Sequence, residues 1–141
     1  MSPRTAGRVL KIGGALLVVL GILHLAVTPI IGKLITDNVT PSVGDWLTPP
    51  MLLNHVVVGI LLLPLGVITF YAAPFAARGE KWARVVTRTT AVTVATLPVV
   101  LFALMGSRYF EAVPFLAAAI VVCVAALLLV VAAFFSRPGE S

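Results

Sequence analysis

The chain is 141 residues long, 60% hydrophobic and only 11% charged, with a mean hydropathy of +1.13. Soluble domains carry about 25% charged residues, so this composition excludes an ordinary soluble domain and points to the membrane class. The formal charge is +5, but the basic residues stand at the ends of apolar runs rather than in a patch interleaved with aromatics, which excludes nucleic acid as their partner.

Residues 1–11 form a short basic leader carrying Arg4, Arg8 and Lys11. The run 12–32, IGGALLVVLGILHLAVTPIIG, follows with no Asp, Glu, Lys or Arg. At about 1.5 Å per residue it reaches roughly 31 Å, enough for a hydrocarbon core of about 30 Å. It is too long for the apolar region of a secretory signal and lacks a small-x-small cleavage site, so it is expected as a retained first span. Pro29 and Gly32 are expected to bend or fray its last turn.

Residues 33–50 are the longest polar stretch, with Asp37, Asp45 and Trp46. Trp46 fits an interfacial anchor. Asn38-Val39-Thr40 has the form of a glycosylation acceptor, weakened by Pro41 directly after it. Thr48-Pro49-Pro50 predicts a helix start with Thr48 as N-cap. The second span is predicted over 51–73, interrupted by Pro64, which frees the carbonyl of Ile60. The basic segment ARGEKWAR reads as a loop, with Arg78, Lys81, Arg84 and then Arg88. The third span is predicted over 89–106 and the fourth over 112–135, the link between them short enough to make them antiparallel neighbours.

Eight of the ten Lys and Arg residues fall on the side of the leader, the 74–88 segment and the tail, and two, Lys33 and Arg108, on the other. The positive-inside bias therefore predicts both termini in the cytoplasm, with Arg78, Lys81, Arg84 and Arg88 against anionic cytoplasmic lipid. The single cysteine, Cys123, excludes an internal disulfide and any CxxC motif. In its apolar run it reads as a packing residue.

Helices in lipid meet where side chains are small. Gly14, Gly21 and Thr28 recur every seven residues, and His24 lies one turn from both Gly21 and Thr28. His55, Gly59 and Gly66 share a face of span two. Thr89, Thr93, Thr96 and Ala103 are the expected inward stripe of span three, and Ala119, Cys123, Ala126 and Ala133 that of span four. The expected fold is all-α: one integral-membrane domain, a four-helix bundle with short loops.

Few residues can carry chemistry: His24, Thr28, Asn54, His55, Arg108, Tyr109 and Glu111. Counted from the span edges, His24 and His55 lie at depths differing by roughly 6 Å, within the error of the boundaries. Three readings of the pair stand open. The imidazoles can bond neighbouring helices and fix packing. They can line a pocket for a quinone or other small ligand. They can be the axial ligands of a b-type haem, with Thr28 holding one ring's other nitrogen. Arg108 and Glu111 read as an interfacial ion pair that sets span depth, or as a mouth for an anionic group. No carboxylate lies inside a span, which argues against proton-coupled transport of the kind that needs one. The phosphate-cradling, zinc-protease and serine-hydrolase signatures are absent.

GILH in span one, RGEKWAR, and LMGSRYFEAVPF before the last span together resemble small four-helix bacterial membrane proteins of uncharacterised function, loosely akin to the DoxX-like group. The resemblance implies a bacterial cytoplasmic membrane and an association with quinone-linked or thiol redox chemistry; it implies no catalytic residue here. His55 and the long 33–50 segment have no counterpart in it. The expected function is an accessory or small-ligand-binding membrane subunit without catalysis of its own, its pocket near the outer leaflet lined by His24, Asn54, His55 and Arg108. The rivals are a bis-histidine haem electron carrier and a purely structural subunit of a larger membrane complex or homo-oligomer.

Overall fold

The computed structural model describes residues 1–105 and 113–136, with side chains from 1–104 and 116–136. Four helices account for nearly all of it: α1 Pro3–Asn38, α2 Pro41–Ala77, α3 Lys81–Met105 and α4 Val113–Phe134. All four are long and apolar enough to cross a membrane. Each helix packs along its chain neighbours, α4 closes back onto α1, and the α1–α2 seam is much the most extensive.

Helices α1 and α2 run well past the expected spans at both ends and α3 starts well before its own, while α4 stays within the span expected for it. The leader is not a separate segment: α1 starts at Pro3, where a proline costs no hydrogen bond, and the Ser2 hydroxyl caps the Thr5 amide. Nor does α1 fray at Gly32. It continues to Asn38, carrying Pro29 inside it. The predicted loop over 33–50 shrinks to the link between Asn38 and Pro41. Thr48 is not an N-cap. The cap position is Thr40, without a side-chain bond, and Pro41 takes the first turn; Pro49 and Pro50 lie inside the helix. Both proline pairings satisfy the same local rule, and the earlier one wins because it extends the α1–α2 seam. Helices of 36 and 37 residues reach about 54–56 Å, so both project beyond a core of about 30 Å.

The basic loop is likewise mostly helix. Its only turn is Arg78–Glu80, where Gly79 sits at φ 87° and the amides of Gly79 and Glu80 return to the carbonyls of Ala76 and Phe75. That closure needs a left-handed residue, which glycine supplies at least cost. Glu80 accepts from Arg78 and from the Trp82 indole, folding the turn on itself. Arg88, about two turns along α3, donates to the Ala133 carbonyl at 3.3 Å and so meets the carbonyl end of α4.

The α1–α2 seam is set by glycines. A Cβ on Gly14 would fall 2.8 Å from the Gly66 carbonyl oxygen, and one on Gly66 2.6 Å from that of Gly14. One heptad along, Gly21 and Gly59 repeat the relationship, at 2.9 and 3.1 Å. One heptad back, Gly7 faces Ala73 and Ala77. Seven residues up α1 therefore match seven residues down α2, and backbone lies against backbone at Gly14–Gly66 and Gly21–Gly59. Gly7 completes the repeat, hidden from the sequence reading inside the basic leader.

The stripe of span four is buried as expected at Ala119, Ala126 and Ala133, with Cys123 half-buried. The stripe of span three is not. Thr89, Thr93, Thr96 and Ala103 are exposed, and the buried face of α3 is Ala83, Thr87, Thr90, Ala91 and Val94. Thr96 shows why a threonine need not point inward: its hydroxyl donates to the Thr93 carbonyl of its own helix at 2.7 Å, so it needs no partner from outside.

Packing is uneven along the bundle. Leu10, Leu17, Leu20, Leu62, Val94, Ala125, Leu129 and Ala132 form a core toward the end that carries the chain's first residues and the α2–α3 turn. Toward the α1–α2 turn few residues are buried, and on α3 Val99 and Leu104 are 67% and 78% exposed. The bundle is tight at one end and loose at the other.

Candidate functional site

His24 and His55 meet where the tight half gives way to the loose one. The glycine register fixes their levels. His55 lies four residues beyond Gly59 and Leu25 four beyond Gly21, and the Leu25 side chain touches the Gly59 position. His55 is therefore level with Leu25, one residue from His24, which removes the offset left open by counting from span edges. The imidazoles stack with centroids 4.7 Å apart and planes 27° from parallel. His24 is twelve residues from Ile12, about 18 Å into the bilayer if the core begins there.

Hydrogen bonds assign the tautomers. His24 Nδ1 lies 3.1 Å from the Leu20 carbonyl; a carbonyl only accepts, so Nδ1 carries the proton. The Thr28 hydroxyl donates its one proton to the His24 carbonyl at 2.7 Å. Its oxygen is also 3.0 Å from His55 Nδ1, so that nitrogen is the donor there. Both rings are thus held as Nδ1–H imidazoles, and both Nε2 atoms keep a lone pair. The hydrogen bonds to Leu20 and Thr28 both run through Nδ1, and the His55 ring also faces the His24 carbonyl.

One more acceptor stands at this level. Pro29 has no N–H, so the Leu25 carbonyl, four residues earlier, loses its helical partner. The signal was present in the sequence as Pro29; its meaning depended on knowing that Leu25 and His55 are level.

The structure therefore brings together His24, Thr28 and His55. Asn54 is next to His55 in the chain, but its side chain is exposed on α2 and takes no part in the cluster. Arg108, Tyr109 and Glu111 lie outside the described residues. Both histidines and Thr28 are half-buried, so the cluster is reached from the flank of the bundle. An apolar cleft of about 280 Å³ opens between α3 and α4, walled by Phe102, Leu116, Ala119, Ile120, Cys123 and Val124; the histidines are not among its walls. At the tight end, a void of about 10 Å³ touching Ala6, Arg84, Thr87 and Ala133 is the size of a single water.

The stack does not fit a haem. Two axial imidazoles approach one iron from opposite faces of a macrocycle, whereas these rings lie in contact with each other. Among the described residues no group of three or more His, Cys, Asp or Glu side chains could hold a metal ion.

The fold defines a small multi-pass membrane protein built of four helices. No family model, curated protein or solved structure matches the chain.

Proposed function

We propose that this protein is an accessory membrane subunit that binds a small lipophilic ligand of quinone-like size at His24, Thr28 and His55. One observation carries the reading: two imidazoles at one depth have their Nδ1 protons committed to protein oxygens and both Nε2 atoms free. Polar groups inside a span are expensive and are kept where they serve a partner. A pair made only for packing would be expected to use both nitrogens of each ring. The looser half of the bundle gives a ligand lateral access from the lipid. In the orientation given by the positive-inside rule, both termini are cytoplasmic and the site opens toward the outer leaflet of a bacterial inner membrane.

The interhelical bond between Thr28 and His55 favours a second reading, a structural subunit in which the cluster only ties α1 to α2. Mass analysis of the lipophilic extract of purified protein separates the two. A ring compound present in stoichiometric amount, and absent from His24→Ala/His55→Ala, is the expected result. A blank extract, with the double variant still joining the same larger assembly, would instead favour the structural subunit.

A further inference from the structure

The chemical class of the ligand follows from what the site lacks. Within the His24–Thr28–His55 cluster, each side-chain atom left unpartnered among the described residues is an acceptor, Nε2 of His24 and Nε2 of His55, and the carbonyl of Leu25, freed by Pro29, adds a third at the same level. The donors are spent, the two Nδ1 protons on Leu20 and Thr28, and the Thr28 hydroxyl on the His24 carbonyl. A ligand that only accepts hydrogen bonds would set lone pairs against lone pairs in a medium with no water to relieve them.

Two kinds of partner suit such a site, a cation or a hydrogen-bond donor. A divalent metal would find neutral ligands only, with no carboxylate or thiolate completing a group of three among the described residues. Its charge would stay uncompensated in apolar surroundings, which is costly. A neutral donor carries no such penalty. It must also be lipophilic, because the half-buried cluster lies within an apolar span.

We propose that the paired Nε2 atoms of His24 and His55 take the hydroxyl of a lipophilic phenol or hydroquinone, and that the site discriminates against the matching quinone or ether. The proposal rests on the ligand-binding reading above and adds the protonation and redox form of the ligand. A phenolic O–H has a π-face for the imidazole stack and one proton for an Nε2 acceptor. The quinone of the same ring has carbonyl oxygens only and finds no donor.

The test uses the full chain in detergent with ¹⁵N-labelled histidine, titrated with a 4-alkylphenol, its methyl ether and an alkyl-1,4-benzoquinone of matched chain length. The ¹⁵N shifts of the ring nitrogens are read directly. The expected result is a saturable Nε2 shift with the phenol, at least tenfold tighter than with the ether or quinone. It is lost in His24→Phe and His55→Phe; the His→Gln variants, which keep a side-chain acceptor, are read if the phenylalanine variants misfold. Quinone binding as tight as phenol, still dependent on the histidines, overturns the donor assignment and leaves the ligand site standing. No saturable shift with any of the three overturns both. Nε2 shifts already at hydrogen-bonded values without additive, and unmoved by the phenol, mean that water fills the acceptors and also overturn the donor assignment.

Discussion

Thr28 and His55 are joined across α1 and α2 by a 3.0 Å hydrogen bond whose direction is settled by a third residue. Because the Thr28 proton goes to the His24 carbonyl, His55 must donate through Nδ1. A hydroxyl that commonly only closes back onto its own helix here also orients a ring on the next one. Replacing Thr28 removes that orientation without touching either imidazole.

Thr28→Val is therefore expected to release His55 into a mixture of tautomers, seen as a second set of ¹⁵N ring signals, while His24 keeps its Nδ1–H form through Leu20. Thr28→Ser keeps the oxygen and should keep the single tautomer. The stability cost of Thr28→Val is expected at about 0.6–1 kcal/mol, the range for one hydrogen bond between membrane helices. An unchanged His55 spectrum in Thr28→Val would show that another group holds the ring.

The glycine seam gives a prediction of contrast. A methyl on Gly66 meets the Gly14 carbonyl and the Val18 amide at 2.6–2.8 Å, atoms that cannot yield without parting the helices. A methyl on Gly13 meets the end of the Leu129 side chain at 2.6 Å, which can turn aside. Gly66→Ala is expected to destabilise by about 1–3 kcal/mol, the usual cost of overpacking, and Gly13→Ala by clearly less. Unfolding in mixed micelles by a denaturing detergent ranks them. Equal losses would mean the seam is less close than the carbonyl contacts require.

Thr69 presents the opposite case. It is fully buried on α2, and its hydroxyl has no partner among the described residues. Thr69→Val keeps the branched shape and removes the unsatisfied group, so the variant is expected to be more stable by about 1 kcal/mol or more. The same micelle assay measures it, and a loss of stability would reveal a bond the hydroxyl makes in the membrane.

Orientation can be checked with single cysteines in a Cys123→Ser background. Val39→Cys, at the α1–α2 turn, should react with a membrane-impermeant maleimide in intact cells. Ser2→Cys should react only after permeabilisation. The reverse pattern would place the histidine cluster toward the inner leaflet.

Much of this was legible in the residues. The 12–32 apolar run, the heptad Gly14–Gly21–Thr28 with His24 beside it, and the matching His55–Gly59–Gly66 face all follow from composition and spacing, because a bilayer rewards apolar length and helix contact rewards small side chains. The helix ends were less legible. Thr48-Pro49-Pro50 and Thr40-Pro41 carry the same start signal, and only the continuing α1–α2 seam selects the earlier one. The inward face of α3 was misplaced by trusting threonines, since a hydroxyl bonded within its own helix can sit exposed, as Thr96 does, or buried, as Thr87 does.

Apolar runs and glycine periods by themselves determined a four-helix membrane protein whose two histidines each lie on the small-residue face of their own helix. The tertiary structure alone decided that the histidines are level, that their rings stack instead of flanking an iron, and that both lone pairs point away from the protons already spent. The reason is physical. A helix's amphipathic and small-residue pattern is encoded locally, every three or four residues. The slide of one helix along another is set by many weak contacts acting together, here carbonyls seated in the absent side chains of Gly14, Gly21, Gly59 and Gly66.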